Sequence, residues 1–69
     1  MIPDTNDPRW KRVLTSESDL SATSLATRLM VSRLRREVAA SPAALAAKIG
    51  ELRDFVAKNP FATADMAKF

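Results

Sequence analysis

The chain has 69 residues, a net charge of +3, no cysteine, no histidine and a single glycine. A chain this short makes one small domain with a marginal core, and it has no disulfide to brace it. The missing imidazole and thiol remove the commonest general base and the strongest nucleophile, and one glycine cannot build a phosphate-cradling loop. These absences set the expectation of a non-enzymatic protein with no cofactor and no metal site.

Residues 1–7 show no periodicity and read as a loose N-terminal arm. Asp7-Pro8 then predicts a helix start, the aspartate capping and the proline taking the first turn. A short helix over 8–14 puts Trp10, Val13 and Leu14 on one side. Two turns do not persist alone, so Trp10 must dock. It serves either as a lid on the domain's own core or as a hot spot for a partner, beside Arg9, Lys11 and Arg12.

A polar link at 15–19 leads to the segment that organises the chain, a helix expected over 18–40. Ser18 is the first candidate cap, with Ser21 or Ser24 as later ones. Ala22, Ala26, Met30, Leu34 and Val38 form a row at four-residue steps, with Leu25 and Leu29 beside it. Such a row swivels around the axis and favours a crossing near −50°. The segment also concentrates charge: residues 20–40 carry +3, against −1 for 1–19 and +1 for 41–69. Arg28, Arg33, Arg35 and Arg36 supply it. They offer a surface for phosphate or for an acidic protein, unless they form an ordinary solvated face. Arg33 is placed to pair with Glu37 at i+4.

Ser41-Pro42 ends this helix and opens a third over 42–58, in which Leu45, Ile49, Leu52 and Val56 make a regular seam. Asp54 and Lys58 are spaced to pair, and Gly50 predicts close approach of another helix, near Leu29 or Ser32. Asn59-Pro60 closes the helix. Residues 60–69 are read as a short C-terminal turn capped by Thr63.

Within the third segment, Leu45-Ala46-Ala47-Lys48-Ile49-Gly50 followed by Val56 resembles the helix-turn-helix of phage repressors. The resemblance covers about a dozen residues and implies a turn at Gly50 and a groove-reading helix after it. The chain departs from that pattern where Glu51 precedes Leu52 and where the apolar seam runs on through Gly50.

The expected architecture is therefore all-α, a small helical hairpin with short flanking helices. Because twelve alanines bury little area, the hairpin is expected to complete its core by homodimerisation. The function expected is that of a protein-interaction, regulatory or accessory module that binds a larger protein. Trp10, Arg28, Arg33, Arg35 and Arg36 are the candidate partner-binding residues. The alternative is a small nucleic-acid-binding protein using the basic central helix. No run of apolar residues is long enough to cross a membrane, and a cytoplasmic location is expected.

Overall fold

The structure, a computed structural model, describes residues 4, 6–15 and 20–68. Within them the chain is all-helical: α1 (Pro8–Thr15), α2 (Leu25–Ala40), α3 (Leu45–Lys58) and α4 (Pro60–Met66), with one 3-10 turn, Pro42–Ala44, between α2 and α3.

The first boundary follows the sequence closely. The Asp7 carboxylate accepts the Arg9 backbone N–H at 2.9 Å and is paired with the Arg9 guanidinium at 3.1 Å. Those bonds hold the Asp7 carboxyl below its usual value. The Trp10 indole N–H donates to the Asp4 carbonyl at 2.7 Å, and the Asp7 amide donates to the same oxygen at 2.9 Å.

The start of α2 departs from expectation. Residues 20–23 make a turn, with the Thr23 amide and hydroxyl both donating to the Leu20 carbonyl. Regular helix begins only at Leu25, so α2 has 16 residues, about 24 Å, rather than the roughly 35 Å of a helix over 18–40. Ser18 lies outside the described residues. Ser24 holds the cap position, but its side chain makes no capping bond. The cap comes instead from the far end of the chain. Asp65, on α4, accepts the Ser24 amide at 3.2 Å and the Thr27 hydroxyl at 2.7 Å.

Ser41 ends α2 with its amide on the Glu37 carbonyl. The 3-10 turn intervenes, so α3 starts three residues later than its proline suggests. It then runs unbroken through Gly50. A repressor-like turn at that glycine is therefore absent, and the resemblance of residues 45–56 does not extend to the fold. Nothing lies within 4 Å of where a Gly50 Cβ would sit, so the expected close helix approach is absent too. At the other end, the Asn59 side-chain amide donates to the Phe55 carbonyl and the Thr63 hydroxyl to that of Val56. Thr63 thus closes α3. The last segment is a helix from Pro60, longer than the turn expected there.

All four helices feed one core. Trp10, Val13 and Leu14 enter from α1, Val31, Leu34 and Val38 from α2, Leu52 and Val56 from α3, and Ala62 and Met66 from α4. Leu45, Ile49 and Phe55 pack against it as the α3 seam predicts, and the Phe55 and Phe61 rings meet edge to face at 6.1 Å. α1 and α4 thus add their cover to the core of the two longer helices. On α2 the buried row is Thr27, Val31, Leu34 and Val38. Its 4-3-4 spacing gives a straight stripe, not the swivelling row through Ala22 and Ala26.

Candidate protein-docking surface

Once that stripe faces inward, the opposite side of α2 is fixed by the helical period. Residues 25, 29, 32 and 36 repeat the same 4-3-4 spacing about half a turn away. Leu25 and Leu29 are accordingly 62% and 63% exposed, although the rest of the chain's large aliphatics are buried or half-buried among the described residues. Ser32 and Arg36 continue the line, both exposed, with Arg33 on its flank. The outer face of α2 is apolar at its N-terminal half and basic at its C-terminal half.

The five expected partner-binding residues do not form one surface. Trp10 is fully buried; it is the core's lid and presents no face to a partner or a base. Arg35 is half-buried, and its Nε–H donates to the Val13 carbonyl at 2.6 Å. A cation on the last carbonyls of α1 complements that end of the helix dipole, so Arg35 clamps α1 to α2. Arg28 is half-buried on the same side, seven residues earlier, and its Nε has no hydrogen-bond acceptor among the described residues. Of the five, only Arg33 and Arg36 are exposed.

Arg33 does not pair with Glu37. Its guanidinium lies 4.0 Å from Glu51 on α3 and 3.2 Å from the Met30 sulfur. Glu37 instead faces Lys48 at 3.5 Å, and Lys48 also meets Glu51 at 2.8 Å. The hydrogen bond between Glu51 and Lys48 is the main cause that lowers the Glu51 carboxyl and raises the Lys48 ammonium from their ordinary values. These partly exposed pairs set the register of α2 on α3 and stabilise it only slightly. Asp54 and Lys58, expected to pair, form no ion pair with each other. Arg36 makes no ion pair or hydrogen bond among the described residues.

Beside Arg36, where the C-terminal ends of α1 and α2 meet, an open groove of about 530 Å³ has formed. Buried Leu14 and Val38 make its base, and Thr15, Arg35, Arg36, Ala39 and Pro42 surround them. No carboxylate among the described residues lines it. Nothing in the sequence announced this groove, because it depends on where α1 docks. The outward turn of Leu25 and Leu29 was legible in principle. It follows from choosing the row through Thr27, which a polar residue disguised.

No group of acidic residues among the described ones is arranged to hold a metal ion, and no described helix is long and apolar enough to cross a membrane. Comparison with protein-family models, with curated proteins and with solved structures found no match for this chain.

Proposed function

We propose that this chain is a non-enzymatic interaction or regulatory module that binds a larger protein through the outer face of α2. One observation carries the reading: Leu25 and Leu29 face outward at more than 60% exposure while the core behind them is complete. Aligned leucines on a helix, followed by arginines, are the chemistry that lays one amphipathic helix against another. The matching partner segment has an aliphatic row and carboxylates at the end that meets Arg33 and Arg36.

Homodimerisation is a weaker use of the same face. Burying two leucines that are about two-thirds exposed contributes about 3 kcal/mol per copy, while a micromolar complex needs about 8 kcal/mol net of association entropy. Pairing two copies through this same face also brings arginine to arginine, with no carboxylate at positions 25, 29, 32, 33 or 36 to answer them. An acidic partner supplies both the missing area and the countercharge. A nucleic-acid role through the basic central helix would rest on Arg28, Arg33 and Arg36, since Trp10 is buried and Arg35 is engaged with α1. So few phosphate contacts give weak binding that salt abolishes. A cytoplasmic site of action belongs to the same proposal.

The test is a tagged capture from native lysate, with and without nuclease, comparing the wild type with Leu25→Ser/Leu29→Ser. A nuclease-resistant protein retained by the first and lost by the second is the expected result. Equal capture by both, or loss of all capture on nuclease treatment, would overturn the reading.

A further inference from the structure

We infer that the groove between the C-terminal ends of α1 and α2 is the anchor site of that interaction. It takes a bulky aliphatic side chain of the partner segment, with a carboxylate beside it paired to Arg36. This inference rests on the proposed function and names the chemistry of the partner.

Three observations select the occupant. The base of the groove is Leu14 and Val38, so what enters it must be apolar. A volume of about 530 Å³ lies within the range of pockets that hold a compact ligand, and it is ample for one side chain with its backbone. Among the described residues, the charges on its lining are Arg35 and Arg36, with no acid beside them. Arg35 already donates to Val13, whereas Arg36 has no partner among the described residues. Covering Arg36 with a neutral or basic segment would desolvate a cation without compensation. An adjacent carboxylate answers it.

Arg36 also joins the groove to the outer face of α2. From Leu25 to Arg36 the helix rises about 16 Å, three turns. One acidic amphipathic segment of that length can cover the two leucines and still place its anchor in the groove.

The probe is an acetylated and amidated peptide, Asp-Glu-Leu-Leu-Glu-Asp, titrated into the full ¹⁵N-labelled chain at low salt and followed by amide chemical shifts. Two controls replace its leucines by serine or its acids by lysine. Saturable shifts at Thr15, Arg36, Ala39 and Ala43 are expected with the first peptide and neither control. Arg36→Ala is expected to weaken binding about fivefold, the size of one partly exposed ion pair. Ala39→Trp, at an exposed position on the groove wall, is expected to abolish it while melting like the wild type.

The inference is overturned by equal response to the lysine peptide, or by an absence of saturable shifts at the groove. It is also overturned if those resonances move with the chain's own concentration, which would make a second copy the occupant. Shifts confined to Leu25 and Leu29 would sink the groove and leave the proposed function standing. Failure of the Leu25/Leu29 variant to lose its captured partner strikes the proposed function itself.

Discussion

Replacing Asp65 by alanine tests how the ends of this chain hold each other. Asp65 is 3% exposed, and it accepts bonds from the Ser24 amide and from the Thr27 hydroxyl, whose residue is fully buried. Removing the carboxylate strips α2 of its cap, a loss of about 1 kcal/mol. It also strands the Thr27 hydroxyl in the core, at about 1–2 kcal/mol. The ion pair with Lys68, half-exposed at 3.6 Å, adds little. The sum is about 2–3 kcal/mol, a large share of the stability of so small a domain. It lowers the melting temperature by about 10–20 °C. Urea denaturation at pH 7, followed by helical circular dichroism and Trp10 fluorescence, reads this directly. Thr27→Val on the alanine background removes the stranded hydroxyl, so the double variant should lose about 1 kcal/mol less than the two single losses added. A loss below about 0.5 kcal/mol in Asp65→Ala, or strict additivity with Thr27→Val, refutes the claim that α4 caps α2.

Further outcomes follow from the same contacts. Burial alone would raise the Asp65 carboxyl, but the hydrogen bonds from Thr27 and Ser24, with Lys68 nearby, outweigh it and leave the group below its ordinary value of 3.8. A lowered native value means its contribution is present in full above the unfolded value and is lost as pH falls through the native one. Stability should therefore fall below about pH 4, with a shallower fall in Asp65→Asn when the two are compared by urea titration. Gly50→Ala should stabilise α3 by about 1 kcal/mol, because nothing occupies the space of the new methyl; destabilisation in the same denaturation assay would mean that another helix does approach there. Arg35→Ala should raise amide exchange in α1 more than in α3, since it releases the Val13 carbonyl; uniform exchange would deny it the clamping role. Leu25→Ser/Leu29→Ser should shift the urea midpoint little, because both side chains lie largely outside the core, and a loss above about 1.5 kcal/mol would place them inside it.

How far the fold was legible depends on whether each signal was local. Asp7-Pro8, Ser41-Pro42 and Asn59-Pro60 act on backbone within a residue or two, and the helix boundaries beside them fall within a few residues of the reading. Trp10 had to dock somewhere, and it closes the core. The start of α2 was not legible, because its cap comes from Asp65, 41 residues away from Ser24. The same contact hid the true core row: Thr27 reads as polar and yet lies at 0% exposure beneath its hydrogen bond. With Thr27 set aside, the leucines at 25 and 29 were assigned inward and the outer face went unseen. Charge pairing failed in the same way. Arg33 and Glu37 have the spacing to meet on one helix, but Lys48 and Glu51 on α3 lie closer to hand.

The core closed by α1 and α4 also reframes the role of size. A 69-residue chain was expected to need a second copy, because the two longer helices alone bury too little. Within one chain the short ends add cover to that pair, Trp10 from one side and Ala62 and Met66 from the other. What is left over is a surface that the fold itself does not use.

A photo-cross-linking phenylalanine analogue placed at Leu29, with a control at exposed Ala47 on α3, tests that surface most directly. Irradiation in cells should yield a discrete adduct to another protein from position 29 and none from position 47. The same adducts from both positions, adducts to nucleic acid, or an adduct only to a second copy of the chain would contradict the account.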